Sequence, residues 1–362
     1  MTPIPSSPIL PSVKRVAIIG ASGYSGEELL KRLLHHPGVE ISLVTSRQNA
    51  GQTIAQVYPR FGSHPVARDL RFTDPQVDAV VGQAEVAFLA LPHGVAASYA
   101  RPLIAAGLTV IDLSADFRIH DPAVYADFYG GSHPAPELLS EAVYGLPEIH
   151  AGPIKSARLI ASPGCYPTSI LLPTLPLLRA GLIGTTGIIA DSLSGVSGAG
   201  RKAELDYLFC ECNESVRPYG VPRHRHLAEV EQEMSLAAGS PVVIQFTPHL
   251  IPVTRGILTT LYLTPARPLI PADAGAFGDA VHQCYREVYG SAPFIRLLEG
   301  GALPDTKNVV GTNVIEIAWR VDPRTGRLVV MSAEDNLVKG ASGQAVQSFN
   351  LRFGYPETTA LL

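Results

Sequence analysis

Arg15–Gly26 reads RVAIIGASGYSG, and the fold turns on how this stretch is read. Arg15 to Ile19 is a short apolar, β-branched run of the kind that forms a strand. Glycines follow at 20, 23 and 26, and a helical pattern runs from Glu27 to His35. Strand, glycine turn and helix in that order open a dinucleotide-binding sheet. Backbone N–H groups at a helix start cradle a pyrophosphate, and residues without a Cβ let it come close. Gly20, Ser22, Gly23, Tyr24, Ser25 and Gly26 are therefore the expected cofactor contacts.

The next units extend this reading. A second strand, Glu40 to Val44, ends in Thr45-Ser46-Arg47, where an NAD site usually carries an acidic residue for the ribose 2′-hydroxyl. A hydroxyl and a guanidinium suit a 2′-phosphate instead, so Ser46 and Arg47 point to NADP(H). Val86 to Leu91 is a buried strand leading to Pro92-His93-Gly94 and a helix from Val95 to Ala106. Pro92 and His93 are expected to line the cofactor pocket. Thr109 to Leu113 is a further strand, followed by Ser114-Ala115-Asp116-Phe117-Arg118. Arg118 could bind an acidic substrate or pair with Asp116. Alternating strands and helices predict an α/β fold with a Rossmann-like, doubly wound parallel sheet. Asp121 to Ile149, rich in Pro, Tyr and Gly, reads as a long connecting loop.

Ser162–Thr168, SPGCYPT, lies between an expected strand, Ala157 to Ala161, and an expected helix, Ser169 to Ala180, stopped by Gly181. A cysteine on a tight turn at a helix start meets unpaired N–H groups and a partial positive charge, both of which favour the nucleophilic thiolate. Beyond it, Gly184–Leu193, Val242–Leu250, Gly256–Leu263 and Val314–Val321 read as strands with few helices between. They predict a second α+β domain with a mixed or antiparallel sheet. A helix from Gln344 to about Leu351 is expected to pack back on the first domain. The divisions read are a loose arm at 1–12, an NADP-binding domain at 13–160, a catalytic and dimerisation domain at 161–334, and a returning C-terminal helix at 335–362.

Composition narrows the function. The chain has 362 residues, enough for two domains, and a net charge of -4 with no Lys/Arg run. That argues against nucleic-acid and membrane-surface partners. Pro or Gly interrupts every apolar run before it reaches the length of a membrane span. The arm carries no basic residue of a secretory signal, and four cysteines without an export signal fit a reducing cytoplasm. Cys210-x-Cys212 lacks the second ligand pair a zinc site needs, and His224-x-His226 lacks a third ligand, so no metal is expected.

Taken together, GASGYSG (Gly20–Gly26), TSR (Thr45–Arg47), LPHG (Leu91–Gly94), DLSADFR (Asp112–Arg118), YGLPE (Tyr144–Glu148), SPGCYPT, SGVSGAGRKA (Ser194–Ala203), HRH (His224–His226), TPHLIPVTRGI (Thr247–Ile257) and DNLVKGASGQAVQ (Asp335–Gln347) carry a resemblance. From Val13 to Phe353 the chain resembles the N-acetyl-gamma-glutamyl-phosphate reductases, relatives of aspartate-semialdehyde dehydrogenase. The resemblance implies that Cys165 is the nucleophile, His224 the acid/base and Glu229 its catalytic partner. It implies reduction of N-acetyl-glutamyl 5-phosphate to the 5-semialdehyde by NADPH through a cysteine thioester, and a homodimer or homotetramer. Arg201 in the glycine-rich loop is a candidate for gripping the phosphate or substrate carboxylate, alongside Arg118 and His226; Asn336 of DNLVKG joins the cofactor set.

Two departures stand out. Family members often have Pro where this chain has Ala228, and Pro173 sits inside the helix after Cys165, where it removes a hydrogen bond. Three other readings compete. A lysine-pathway reductase acting on a carrier-linked aminoadipyl phosphate would show a basic rim, which the acidic balance disfavours. Aspartate-semialdehyde dehydrogenase itself fits SPGCYPT and HRH less well. A catalytically silent NADP-binding sensor would have lost its nucleophile or acid/base, and both are present.

Overall fold

A computed structural model describes residues 11–201 and 203–362; of the arm Met1–Ser12, residues 1–10 lie outside the described residues. The first sheet has seven strands: β1 (Lys14–Ile19), β2 (Val39–Thr45), β3 (Phe72–Thr73), β4 (Val86–Leu89), β5 (Thr109–Asp112), β6 (Ala142–Tyr144) and β7 (Leu159–Ala161). All pair in parallel, in the order β3-β2-β1-β4-β5-β7-β6. Strand order reverses between β1 and β4, so the loops that leave these strands, at Gly20 and Pro92, flank the crevice where such sheets bind ligands. Two glycines make that crevice. Gly20 has φ +86°, and a Cβ on it would lie 2.4 Å from the Ala90 carbonyl oxygen. A Cβ on Gly26 would lie 2.6 Å from the Ala21 Cα, so only glycine lets the helix Tyr24–Leu33 dock on the end of β1.

The stretch Asp121–Ile149 is not a loop. It holds a helix, Pro122–Tyr129, the edge strand β6, and the start of another helix, Pro147–Ile154. Pro122, Pro136 and Pro147 occupy first helical turns, where a missing N–H costs nothing, and the Asp121 carboxylate caps the first helix by accepting from Ala123 N–H at 2.7 Å. Proline content marked helix starts there, not breaks.

The second sheet is mixed: β8 (Ile189–Gly195), β9 (Arg217–Pro218), β10 (Gln245–Ile251), β11 (Ile257–Leu263), β12 (Ile295–Leu297), β13 (Ile315–Asp322) and β14 (Arg327–Glu334). They run in the order β12-β13-β14-β11-β8-β10-β9. Pairs β8–β10 and β12–β13 are parallel and the others antiparallel. Contrary to the helix-poor expectation, two long helices intervene, His226–Ala238 and Ala274–Tyr289. The helix Gly343–Phe353 returns to the first sheet, where Ala345, Val346 and Phe349 share a buried cluster with Val16, Ile18 and Phe88.

The helix after the cysteine turn begins at Cys165 itself and runs unbroken to Arg179. Pro173 and Pro176 each delete an N–H, orphaning the carbonyls of Ser169 and Leu172 four residues earlier. In this buried helix water cannot fill the gap, and hydroxyls do. Ser332 Oγ donates to the Ser169 carbonyl at 2.7 Å, and Tyr289 Oη donates to that of Leu172 at 2.6 Å. The departure at Pro173 is thus absorbed by neighbouring elements, and the helix presents Cys165 at its first position.

Candidate active site

Three elements meet at the cysteine. β7 brings the chain in, Gly164 turns it with φ -69° and ψ 159°, and Cys165 opens the helix. The turn is fastened from two sides. Gly164 N–H donates to Glu229 Oε1 at 2.8 Å, and Tyr144 Oη donates to the same oxygen at 2.5 Å. Arg118 donates from Nε to the Ser162 carbonyl at 2.7 Å and from Nη2 to the Leu113 carbonyl at 2.8 Å, while Nη1 faces Glu229 Oε2 at 3.4 Å. Burial pushes the Glu229 carboxyl up from its usual range, and Arg118, Tyr144 and the Gly164 N–H oppose that shift.

This corrects one sequence reading: Arg118 does not pair with Asp116, and its Nε and Nη2 are held by the Ser162 and Leu113 carbonyls. Glu229 is wholly buried, and its Oε1 takes two hydrogen bonds at the turn. Asp116 instead accepts from Gly94 N–H at 2.6 Å and Ala97 N–H at 3.0 Å, which fixes the Pro92–Gly94 loop beside the crevice.

The histidines converge on the same turn. His226 begins the helix His226–Ala238, and its Nε2 lies 2.5 Å from where a Gly164 Cβ would sit. His224 lies 4.9 Å from it, centroid to centroid, among Tyr166, Tyr219 and Phe246. His224 Nδ1 accepts the His226 N–H at 3.1 Å, which leaves the ring proton on Nε2. Burial, helped by Arg225, lowers His224 to about 4, and burial holds His226 well below the usual range. Both imidazoles are neutral at physiological pH. A direct consequence is testable: Gly164→Ala should push the His226 ring off the turn and slow turnover about tenfold or more, since small misplacements at a reacting centre are costly. Steady-state kinetics check it; parental turnover would show that the close packing is not required.

The thiol departs from expectation. The helix start does favour the thiolate, but burial pushes Cys165 up to about 12, outweighing the Tyr166 N–H and Arg118; an ionised Glu334 carboxylate would add to this. At rest it is a protonated thiol.

The cofactor loop has the expected form. The helix Tyr24–Leu33 has no side-chain cap at Gly23, leaving first-turn N–H groups for an anion. Ser46 Oγ donates to Ser22 Oγ at 2.9 Å, tying the end of β2 to the loop. Arg47 beside it is exposed, with no ion pair among the described residues. These residues fit a phosphorylated dinucleotide.

His93 faces Arg225, whose Nη1 lies 3.1 Å from its ring nitrogens. Arg201 reaches the cofactor loop, donating to the Ser22 carbonyl at 3.3 Å. Asn336 accepts from Gly256 N–H at 2.8 Å and donates to Ser197 Oγ at 3.0 Å. A cavity of about 410 Å³ opens beside Tyr24, lined also by Ser197, Gly200, Arg255 and Leu337. Sequence reasoning missed Tyr144 and Glu334; Tyr144 stands in a motif already quoted, while Glu334 carries no local signal.

A parallel sheet with a glycine crevice, joined to a mixed sheet whose central helix opens on a cysteine, defines a semialdehyde-dehydrogenase-like reductase. Residues 15–157 match the semialdehyde dehydrogenase NAD binding domain, and residues 165–336 match the semialdehyde dehydrogenase dimerisation domain. Among solved structures, aspartate semialdehyde dehydrogenase II from Vibrio cholerae, complexed with ASA, superposes with a TM-score of 0.70 at 19% identity, covering 94% of this chain and 98% of that one. The Candida albicans aspartate semialdehyde dehydrogenase with NADP gives 0.66 at 17% identity, over 94% and 99%. At these identities the likeness is one of fold.

Sequence relatives are nearer. A protein of Akkermansia muciniphila named N-acetyl-gamma-glutamyl-phosphate reductase is 56% identical over 96% of this chain and 98% of its own. Namesakes from Moorella thermoacetica and Citrifermentans bemidjiense are 49% and 48% identical, each over 96% of this chain and 97% of theirs. The chain belongs to the N-acetyl-gamma-glutamyl-phosphate reductase family. Among the described residues, no helix is long and apolar enough to cross a membrane.

Proposed function

We propose that this chain reduces N-acetyl-L-glutamyl 5-phosphate to N-acetyl-L-glutamate 5-semialdehyde and phosphate, with NADPH as reductant and Cys165 as nucleophile. The reading is carried by one observation: a cysteine at the first position of a buried helix, on a turn fastened by Glu229, with two neutral imidazoles packed against it. The names of relatives covering nearly the whole chain supply the substrate class.

The chain's own residues divide the work. Cys165 Sγ gives its proton to an imidazole of the His224–His226 pair and bonds to the acyl carbon, and the carbon–oxygen bond to phosphate breaks, leaving a thioester. NADPH, when bound, supplies the hydride that reduces the thioester carbon. His224, with its proton on Nε2, hydrogen-bonds the oxygen that becomes anionic there. Collapse of that hemithioacetal anion then frees the aldehyde and returns the thiolate, which takes its proton back from the imidazole. Glu229 and Arg118 hold the turn throughout. We assign the 2′-phosphate of NADP(H) to Ser46 and Arg47 and its pyrophosphate to the Gly20–Gly26 loop, with Arg201 closing over it from the second domain. The dimerisation-domain match supports a homodimer or homotetramer as the working unit, with residues 13–160 and 161–334 as its cofactor and catalytic domains.

The test runs the reaction backwards: N-acetyl-glutamate 5-semialdehyde with NADP, with and without inorganic phosphate. Phosphate-dependent reduction of NADP is expected. Arg47→Glu should raise the KM for NADP about tenfold or more and leave that for NAD within a few-fold, because a carboxylate there repels the 2′-phosphate. Absence of turnover with the parent, NADPH binding intact, would exclude this substrate and send the search to carrier-linked aminoadipyl phosphate.

A further inference from the structure

Glu334 ends β14 beside the cysteine turn, and the reaction as derived above does not use it. Its side chain is wholly buried, and neither carboxylate oxygen has a hydrogen-bond partner among the described residues. A buried carboxyl with both oxygens unpartnered is rare and calls for a reason. Its surroundings supply one. From Val338 to Ser342 the chain makes a single wide turn of π-helix, which sets Gly340 between this carboxyl and the nucleophile. The point where a Gly340 Cβ would sit is 2.8 Å from Cys165 Cβ and 2.9 Å from Glu334 Oε1. Any side chain at 340 would fill that gap. Glycine leaves the space between the carboxyl and the Cys165 Cβ open.

We propose that Glu334 is a positioning residue for the nucleophile, held as the neutral acid so that its O–H points at Cys165 Sγ and supports the thiolate. The inference rests on Cys165 being the nucleophile. In the step concerned, the S–H bond breaks, the proton passes to an imidazole of the His224–His226 pair, and an N–H bond forms. The carboxyl transfers nothing; its O–H donates a hydrogen bond to the sulfur anion.

The groups that face Glu334 decide its charge. Burial dominates and raises it well above the usual carboxylate range; Lys339 opposes this, while Asp335 and Glu148 reinforce it. Lys339 does not rescue the carboxylate, because its ammonium is spent on Glu148 Oε1 and Gln344 Oε1 at 2.6 Å each and on Gln347 Oε1 at 2.9 Å. Asp335, the adjacent acid, faces Arg255 Nη1 at 3.7 Å. An ionised Glu334 would set a second negative charge against the thiolate and oppose catalysis; a neutral one lowers its cost.

The test reads the thiol itself, so it stands apart from whether the substrate is correctly named. Cys165 alkylation by iodoacetamide is followed across pH 6 to 10 in the parent, Glu334→Gln and Glu334→Leu, with Cys165→Ser giving the background from the other cysteines. Glu334→Gln keeps a neutral donor of the same shape and should react within about twofold of the parent. Glu334→Leu removes the donor and should slow alkylation about tenfold at pH 7, with the profile displaced to higher pH. NADPH binding and the thermal midpoint report whether the leucine variant keeps its fold; the glutamine variant decides the matter if it does not. Faster alkylation in Glu334→Gln would mean that the parent carboxyl is charged and opposes the thiolate, overturning the proposal. Parental alkylation in a folded Glu334→Leu would overturn it as well.

Discussion

Cys165→Ser is expected to lower turnover by about three orders of magnitude or more while leaving the fold and NADPH binding intact. The substitution is nearly isosteric, so the helix start and its contacts survive. What changes is the nucleophile: a serine hydroxyl is far harder to ionise than a thiol, and His224 and His226, which both hold protons weakly, are too weak as bases to take its proton. A thousandfold loss corresponds to about 4 kcal/mol of barrier. Rapid-quench kinetics with the acyl phosphate should show a burst of enzyme-bound acyl group in the parent and none in the variant. A variant that still turns over at a tenth of the parental rate would remove Cys165 from the mechanism altogether.

The second large effect is expected at Glu229, and it separates positioning from chemistry. Glu229→Gln keeps the shape of the side chain but takes the counter-charge from Arg118, whose own side chain is buried and whose remaining donors are fixed on Ser162 and Leu113. Leaving one partner of a buried pair uncompensated costs about 3–5 kcal/mol, so the thermal midpoint should fall by several degrees. The Gly164 and Tyr144 donors lose a charged acceptor at the same time. Turnover should drop about tenfold to a hundredfold, mostly in kcat, because the turn that aims Cys165 loosens. Tyr144→Phe, which removes one of these bonds, should follow in the same direction and more weakly. Parental stability and kcat in Glu229→Gln would show that the turn is held by Arg118 and the backbone alone.

The parallel sheet was legible because its signals are local. RVAII followed by GASGYSG states a strand, a tight turn and a helix, and Gly20 and Gly26 proved to face backbone atoms that leave no room for a Cβ. The cysteine turn was legible for the same reason, as was the sense of the mixed second sheet. The stretch from Asp121 to Ile149 misled because proline, read as a breaker, stood at the first turns of helices instead. Pro173 misled in the opposite way, since a chain-local rule sees the lost hydrogen bond and not the Ser332 hydroxyl that replaces the function of the missing donor.

The sequence by itself determined the two-sheet architecture, the cofactor loop, and the identity of the cysteine and histidine segments, since each depends on residues within one turn or strand of one another. The tertiary structure alone decided the charge states and the division of labour. Cys165 is a protonated thiol because burial outweighs the helix start that should ionise it. Arg118 braces a turn because Glu229, from a helix more than a hundred residues later, comes to meet it. Glu334 lies beside Cys165 because a π-helical turn places only a glycine between them. Desolvation and long-range pairing are properties of what surrounds a side chain in space, and neighbours in sequence do not record them.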